Sequence, residues 1–347
     1  MKKYNNKIDI IIPAYNVPDE ILFRCLASIA CQDNVKDCEV TIVDDASTIQ
    51  NYQEVAKHFE HILPIHVLRY ETNGGPGVAR QYGIDHTSNG LMTFIDADDT
   101  FNGSFALTAL ATGLAERPTH IMCVGVFDEI HATGLPEGML GPMVVPHEND
   151  LVWMFGKMYR RYFIDKYDIR FHETSRANED NGFNTICQLC TNDNETINFI
   201  PAHVYYWHEN LNSITRINDC QYSYGGSERD SFYGYVENMI YAIKKARKCN
   251  PYNGYIAMWA VNCMLHLYEY YIECVERAPE HASNNLKWCK RYYEEIYKDM
   301  ENTIPEDAFA SQYNSMMKNA YLGDKLAGII PCMGIYEFLD TLKNMED

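Results

Sequence analysis

The sequence predicts an α/β domain built on a mostly parallel sheet, followed by an α-helical domain. Over roughly the first hundred residues, short β-branched runs alternate with segments whose apolar residues recur at helical spacing. After about residue 215, helical spacing alone remains. Because a chain of 347 residues is long enough for two domains, we expect one domain at residues 1–216 and a second at residues 217–347.

The first domain begins with a βαβ unit, in which strands at residues 8–12 and 40–43 flank a helix at residues 19–30. Four more predicted elements continue the alternation, namely a helix at residues 52–59, a strand at 65–70, a helix at 77–86 and a strand at 91–95. Strands that alternate with helices form parallel sheets covered on both faces. Such sheets bind ligands beyond the carboxyl ends of their strands, so we expect the functional site there.

The second domain is predicted to be helical throughout. Its helical segments lie near residues 235–248, 255–277, 284–300, 308–321 and 334–345. The breaks between them contain the prolines Pro251, Pro279 and Pro305. We expect its apolar side chains to form a core or an interface, and the domain to contact an acceptor, another copy of the chain in a homo-oligomer, or another partner.

The composition is that of an ordinary globular protein, with 46% hydrophobic and 22% charged residues. The formal net charge of −19 argues against a broad phosphate-binding surface for nucleic acid. The chain contains no run of about 18 uninterrupted apolar residues, so we predict no transmembrane segment. Its first apolar run ends early at Pro13, which does not fit a signal peptide. We expect a cytoplasmic protein, either free or peripheral at the inner membrane surface.

The twelve cysteines are scattered through apolar segments and do not form a compact, regularly spaced framework. This distribution predicts free, buried thiols rather than disulfides. Cys187 and Cys190 form a C-x-x-C pair on a predicted helix. Structural zinc would need a second such pair or nearby histidines at regular spacing, so we do not predict a zinc site.

Three carboxylates follow the strand predicted at residues 91–95, at Asp96, Asp98 and Asp99. Anions packed this closely repel one another unless a positive group neutralises them. Mn²⁺ or Mg²⁺ is a suitable neutralising group, because it prefers oxygen ligands and takes only one or two carboxylates, leaving positions for water and phosphate. The alternative is a solvated acidic turn that caps the next helix.

Further segments near strand ends occur in a fixed order before this acidic turn. They read IIIPAYN at residues 10–16, IVDDAS at 42–47 and NGGPGVAR at 73–80, and the turn itself reads FIDADD at 94–99. Later segments read WMFGKMYRR at 153–161, NED at 178–180, YYWH at 205–208 and NSIT at 212–215. Together these segments resemble the family 2 glycosyltransferases of the GT-A (Rossmann-like) fold, over about residues 7 to 216.

The resemblance implies a UDP-sugar donor bound at these strand ends. Pro13, Ala14 and Tyr15 would surround the nucleotide base, and either Asp44 or Asp45 would accept a hydrogen bond from the uracil N–H. Other residues would hold the ribose and phosphates, and they are Gly74, Gly75, Gly77, Arg80, Asp96 and Ala97. The glycines would let the backbone approach the nucleotide closely, and the planar guanidinium of Arg80 would hold a phosphate or an acidic neighbour.

The resemblance also implies a metal-assisted, inverting transfer. Asp98 would bind the metal directly, and the metal would stabilise the charge that develops on the departing diphosphate. Asp180 would act as the general base that takes the proton of the acceptor hydroxyl, with Glu179 orienting it or contacting the sugar. His208 would complete the metal shell, contact the diphosphate or be held by a backbone carbonyl. Arg216 would steady the diphosphate.

Two other functions compete with this interpretation. A sugar nucleotidyltransferase would use a similar sheet, but it places a basic, glycine-rich loop directly after the first strand, where this chain has Pro13-Ala14-Tyr15-Asn16. A catalytically silent binding protein would keep the nucleotide-sugar pocket without turnover, although retention of Asp96, Asp98 and Asp180 argues against it. We expect UDP-hexose or UDP-N-acetylhexosamine as the donor, and the residues do not distinguish glycan, lipid-linked, wall-polymer and protein acceptors.

Overall fold

The computed structural model describes residues 4–48, 51–131, 142–173, 176–210, 219–225, 227, 230–322 and 326–346. The chain divides into two compact units, one comprising Met1–Glu173 with Thr191–Leu211 and the other Thr174–Cys190 with Asn212–Asp347. The segment 174–190 therefore belongs to the second unit although it precedes part of the first. The boundary predicted between residues 216 and 217 lies outside the described residues.

Within the described residues, nine strands of the first unit form one sheet. They are β1 (Ile8–Ala14), β2 (Cys38–Asp44), β3 (Ile65–Arg69), β4 (Leu91–Phe94), β5 (Thr100–Phe101), β6 (His120–His131), β7 (Met143–His147), β8 (Lys157–Arg160) and β9 (Thr196–His208). Their order across the sheet is β3-β2-β1-β4-β8-β6-β9-β5, and β7 pairs with the outer part of β6.

The sheet is mixed. The strands β3, β2, β1 and β4 are parallel, as the alternation of strands and helices predicts. Antiparallel pairing begins where β8 joins β4 and continues from β8 to β6, while β9 runs parallel to β6. The predicted α/β class is confirmed, and the first four strands direct their carboxyl ends to one edge of the sheet.

Three helices of the first unit agree closely with the predicted positions, and they are α1 (Asp19–Ala30), α2 (Tyr52–Lys57) and α3 (Pro76–Asp85). The structure adds two helices that were not predicted, α4 (Ala106–Ala115) and α5 (Arg161–Tyr167). The apolar face of α1, which carries Leu22, Leu26 and Ile29, is fully buried against the sheet core. Burial of side chains from β1 and β2 on both faces explains their near-continuous runs of β-branched residues.

At the amino end of β1, a buried ion pair joins distant parts of the first unit. The Arg161 guanidinium donates to Asp9 Oδ2 at 3.1 Å and to the Ile84 carbonyl at 2.8 Å. Asp9 also accepts hydrogen bonds from the backbone and side-chain nitrogens of Asn89, at 2.8 and 2.7 Å. Both charged side chains are almost completely buried, and these hydrogen bonds add to the attraction between the two charges.

The second unit is helical in its described residues. Its helices are α6 (Glu179–Cys190), α7 (Asp219–Tyr224), α8 (Ser231–Cys249), α9 (Tyr255–Arg277), α10 (Ala282–Tyr292), α11 (Glu306–Leu322) and α12 (Ile335–Asn344). α6 packs so closely on α8 that a Cβ on Gly182 would lie only 2.6 Å from Asn238 Oδ1. Asp230 caps α8 by accepting from the Tyr233 N–H at 2.7 Å.

The eleven described cysteines carry free thiols, and most of them are buried, as predicted. Burial raises the pKa of Cys187 and of Cys190, which lie on α6. In the described part of the chain, no helix combines the length and apolarity needed to span a bilayer.

Candidate active site

The first two strand-end motifs meet beyond the carboxyl ends of β1 and β2. Ala14 pairs with Asp44 in the parallel register, and the Asp45 N–H donates to the Ala14 carbonyl at 2.9 Å. The Asn16 N–H donates to Ser47 Oγ at 2.9 Å, so the two loops are joined by hydrogen bonds. Tyr15 projects from this junction with about half of its surface exposed.

Asp45 organises the glycine-containing loop that precedes α3. Its buried carboxylate accepts from the Gly74 N–H at 2.6 Å, the Gly75 N–H at 2.8 Å and Asn73 Nδ2 at 3.0 Å. Gly75 has a φ of 88°, a conformation that favours glycine, and Pro76 follows at the first turn of the helix. The hydrogen-bonding capacity of Asp45 is therefore used largely in holding this loop.

Asp44 is held by different groups. One carboxylate oxygen accepts from the Ser47 N–H at 2.8 Å, and the other pairs with the guanidinium of Arg69. Arg69 ends β3 and also donates to the Ser47 carbonyl at 2.8 Å. Since nearly half of its side chain is exposed, Arg69 covers Asp44 at a solvent-accessible edge of the site.

The acidic turn after β4 forms a second cluster. Asp96 Oδ1 accepts from the buried guanidinium of Arg80 at 2.7 Å, which brings the glycine-containing segment and the acidic turn together. Asp98 Oδ2 accepts from Asn210 Nδ2 at 3.0 Å, while the Asp98 carbonyl accepts from Arg24 of α1.

Asp99 anchors the acidic turn to β9. Its carboxylate is almost fully buried and accepts from the Tyr205 hydroxyl at 2.7 Å and from the His208 N–H at 2.8 Å. The Tyr205 oxygen in turn accepts from the Asp96 N–H at 3.2 Å. Asp99 and Tyr205 therefore fix the backbone that presents Asp96, Ala97 and Asp98.

The electrostatics of the turn favour an added positive charge. Burial raises the pKa of Asp98, and the neighbouring Asp96 raises it further. Burial also raises the pKa of Asp99 well above its ordinary value, with contributions from Asp98 and Asp96. A raised carboxyl pKa means that the local environment disfavours the anion, and a cation bound beside these oxygens would reverse that effect.

The donor set suits a cation that takes few protein ligands. Among the described residues, no group of three or more His, Cys, Asp or Glu side chains is arranged to hold a metal ion. Mg²⁺ and Mn²⁺ do not require one, because they bind through one or two carboxylates and complete their shells with water and phosphate oxygens. Asp98 and Asp96 fit this requirement, so a metal-assisted site remains consistent with the residues present.

His208 lies beside the acidic turn at the end of β9. Its Nε2 is 2.9 Å from Thr100 Oγ1, so the ring is held by a hydroxyl group rather than by the backbone carbonyl considered above. Burial lowers the pKa of His208 to about 4, and Arg24 contributes to the same shift. The imidazole is therefore neutral near pH 7, the form in which a histidine binds metal.

The remaining predicted catalytic residues belong to the second unit. Glu179 and Asp180 open α6, where Glu179 is buried and Asp180 is half-buried. The Asn181 N–H donates to Asp180 Oδ1 at 2.8 Å, which orients that carboxylate at the helix start. The predicted NSIT segment at residues 212–215 and Arg216 lie outside the described residues.

Three polar residues at the first-unit site were not predicted from the sequence. Arg24 donates to the Asp98 carbonyl, and Asn210 donates to the Asp98 carboxylate. Arg69 pairs with the Asp44 carboxylate. Only Arg69 had a recognisable pattern, since it is a basic residue that ends a strand of the parallel sheet.

Glycine-containing loops and carboxylates gathered beyond parallel strands are typical of α/β domains that bind nucleotides. Residues 9–177 match the family described as glycosyl transferase family 2. This match, over just under half of the chain, confirms the resemblance that the sequence motifs predict.

Solved structures with similar folds come from Staphylococcus aureus TarS. The crystal structure of TarS 1-349 in complex with UDP-GlcNAc aligns with a TM-score of 0.66 and 18% identity, covering 95% of this chain and 99% of that one. The TarS 1-349 complex with UDP aligns with a TM-score of 0.55 and 19% identity over 91% of each chain. These similarities confirm the predicted GT-A fold.

Curated relatives share about a quarter to a third of their aligned residues with this chain. Poly(ribitol-phosphate) beta-N-acetylglucosaminyltransferase TarS of S. aureus is 29% identical over 208 residues, covering 58% of this chain and 35% of TarS. The uncharacterized glycosyltransferase EpsJ of Bacillus subtilis is 25% identical, covering 60% of this chain and 63% of EpsJ. The aligned region thus spans about a third of TarS and just under two thirds of EpsJ.

Proposed function

We propose that this protein is an inverting, metal-dependent glycosyltransferase that moves a hexose or N-acetylhexosamine from UDP to an acceptor hydroxyl. The match of residues 9–177 to glycosyl transferase family 2 supports the reaction class. A fold neighbour that was crystallised with UDP-GlcNAc supports this nucleotide sugar as the first donor to test. The observation that carries the proposal is the half-buried Asp98 carboxylate beside Asp96, in an environment that disfavours its anionic form.

Each residue of the first-unit site has a defined part in this proposal. Asp98 and Asp96 would hold Mn²⁺ or Mg²⁺, which when bound acts as a Lewis acid toward the leaving diphosphate. Arg80 keeps Asp96 in position through its 2.7 Å hydrogen bond. Asp45 fixes the Gly74-Gly75 backbone, so that the loop is ordered before the nucleotide binds.

The transfer requires a base in addition to the donor site. In the proposed step the acceptor oxygen bonds to the anomeric carbon while the bond from that carbon to the diphosphate oxygen breaks. The acceptor proton passes to the Asp180 carboxylate, and UDP leaves. A single displacement of this kind inverts the configuration at the anomeric carbon.

The acceptor is proposed at the level of class. TarS is named for transfer to poly(ribitol-phosphate), which makes a wall or surface polymer the first acceptor class to test. A cytoplasmic location stays a prediction from the sequence.

The proposal is tested by UDP release from UDP-GlcNAc with Mn²⁺, together with calorimetric measurement of UDP affinity. We expect Asp98→Asn to weaken UDP binding in Mn²⁺ by at least about tenfold, because it removes a charged ligand. We expect Asp180→Asn to bind UDP normally and to lose about 10²- to 10⁴-fold in turnover, the usual contribution of a general base. Asp85→Asn is the matched control, since that carboxylate is exposed and pairs with Arg170 on the surface.

The outcomes separate the competing functions. Tight UDP binding without turnover on any donor would favour the catalytically silent binding protein. Failure to bind UDP with or without Mn²⁺ would reject the proposed function. Full activity in Asp180→Asn would reject only the assignment of the base.

A further inference from the structure

Arg24 of α1 brings a positive charge to the acidic turn from outside the sequence motifs. Its side chain is exposed, and its guanidinium donates to the Asp98 carbonyl. It is also close enough to His208 to add to the effect of burial in lowering the pKa of that imidazole. The guanidinium therefore lies beside the part of the turn to which the proposed function assigns the metal and the diphosphate.

The helix that carries Arg24 is fastened to the segment following the acidic turn. Ser28 Oγ accepts from the Phe101 N–H at 3.1 Å. Gln32, just beyond the end of α1, donates from its side chain to the Gly103 carbonyl at 2.7 Å. These hydrogen bonds set the position of Arg24 relative to the turn before a ligand binds, which lowers the entropic cost of binding.

A second arginine at the turn shows how Arg24 differs. The Arg80 side chain is only 4% exposed and donates to the Asp96 carboxylate at 2.7 Å, so it serves the protein itself. Among the described residues, the Asp98 carbonyl is the one hydrogen-bond acceptor of Arg24. Since a guanidinium carries five N–H donors, most donors of Arg24 are accessible to water or to a ligand.

The charge that develops during the proposed transfer suits such a group. When the bond from the anomeric carbon to the diphosphate oxygen breaks, the electron pair stays on that oxygen, and the terminal phosphate gains negative charge. The carboxylates of Asp96 and Asp98 repel this phosphate. A metal ion bound there offsets part of the repulsion, and an arginine within reach of the phosphate offsets more of it.

Given the proposed function, we propose that Arg24 binds the terminal phosphate of the UDP donor and of the departing UDP. In that function the nucleotide extends from the base beside Ala14 to the diphosphate beside Asp98, and Arg24 contacts the latter end. The planar guanidinium matches two phosphate oxygens. Arg24 thus distinguishes a nucleoside diphosphate from a monophosphate.

Calorimetric binding of UDP and UMP tests this contact without requiring turnover. Both nucleotides are titrated into the 347-residue chain, first with Mn²⁺ and then with EDTA. We expect Arg24→Met to weaken UDP binding at least about fivefold in each condition, because it removes a charge-assisted hydrogen bond at an exposed site. UMP affinity should stay within twofold of wild type. Arg24→Lys keeps the charge and should lose less UDP affinity than Arg24→Met.

Arg117→Met is the matched control. Arg117 is also exposed, and it precedes the amino end of β6. Because β4 and β6 both run antiparallel to β8, this end lies at the opposite edge of the sheet from the acidic turn. We expect the control variant to bind UDP and UMP like the wild type.

A purely structural role for Arg24 gives a different result. If the guanidinium only held the Asp98 carbonyl in place, Arg24→Met would weaken Mn²⁺ binding in the absence of nucleotide, as measured by water proton relaxation. UDP would then lose affinity only when Mn²⁺ is present, and this pair of results would overturn the proposal. Contact with the phosphate predicts that Mn²⁺ alone binds no more weakly, because a neighbouring cation repels the metal.

The remaining results separate this inference from the proposed function. The phosphate contact is overturned if Arg24→Met binds UDP like Arg117→Met, if UMP loses as much affinity as UDP, or if Arg24→Lys loses as much as Arg24→Met. UDP-GlcNAc turnover in such a protein would leave the proposed function standing. If the wild type does not bind UDP, pyrophosphate with Mn²⁺ is the probe. Arg24-dependent pyrophosphate binding would then support the contact and reject the proposed function, whereas binding of neither would reject both.

Discussion

The buried carboxylate of Asp45 is expected to stabilise the first unit through the loop it holds. It accepts from two backbone N–H groups and one side-chain amide, at 2.6, 2.8 and 3.0 Å. Asp45→Asn keeps the shape but replaces one acceptor oxygen with an NH₂ group that faces these donors. Losing one charge-assisted hydrogen bond costs about 1.5–3 kcal/mol, and a buried N–H left unsatisfied costs about 1–3 kcal/mol. We therefore expect the free energy of unfolding to fall by about 2.5–6 kcal/mol, the sum of these two costs.

Tryptophan fluorescence can report on the first unit alone. The chain has four tryptophans, of which Trp153 and Trp207 belong to the first unit and Trp259 and Trp288 to the second. Replacing the latter two by phenylalanine leaves a urea unfolding signal from the first unit. Asp45→Asn is made in this background, and its urea unfolding midpoint and slope are compared with those of the parent protein.

Asp85→Asn makes the same chemical change at an exposed position. Asp85 pairs with Arg170 at 2.8 Å, and both side chains are more than a third exposed. Surface pairs contribute about 0–1 kcal/mol, so we expect this variant to unfold close to the wild type. Equal unfolding midpoints for Asp45→Asn and Asp85→Asn would refute the reasoning about the loop.

Two more predictions follow from buried groups elsewhere. Arg161→Met should lower the free energy of unfolding by about 3–5 kcal/mol, because it leaves the buried Asp9 carboxylate without its cation. It should leave UDP affinity within twofold of wild type, since Asp9 and Ala14 stand at opposite ends of β1, about 17 Å apart at ~3.3 Å per residue. In thiol labelling of the native protein, the exposed Cys31 and Cys332 should react fastest among the eleven described cysteines, whereas buried thiols such as Cys289, whose pKa burial raises, should react only after unfolding.

Each of these two predictions has a clear contrary result. If Asp9→Asn added to Arg161→Met recovers no stability, the loss does not come from an unpaired buried charge. If Cys31→Ser leaves the number of fast-reacting thiols unchanged, Cys31 is not exposed in solution.

The sequence predicted the parallel half of the first unit well, because local physics determines it. Buried apolar strands end at Ala14, at Asp44 and just before Asp96, each beside one of the motifs, so both the strands and the edge they form could be inferred. The contacts among these motifs depend on tertiary packing. Arg24 lies on a predicted helix, and only folding brings it to the Asp98 carbonyl.

The later strands were harder to predict. β5 has only two residues, and β9 pairs with β6 through register shifts that break a regular alternation. The assignment of residues 174–190 to the helical unit also depends on long-range packing, in which α6 lies against α8. The sequence shows the E-D pair at Glu179 and Asp180, but it does not show that this pair belongs to the second unit.

The course of the chain between the two units has a consequence for how the protein is made on the ribosome. The chain leaves the first unit after residue 173, supplies α6 to the second, and returns with β9 before leaving again. An emerging polypeptide that stops at the end of the family match, residue 177, still lacks Tyr205, the hydroxyl partner of Asp99. The nascent first unit therefore completes its candidate active site only after α6 has been synthesised, and a single cut in the gene can liberate neither unit whole.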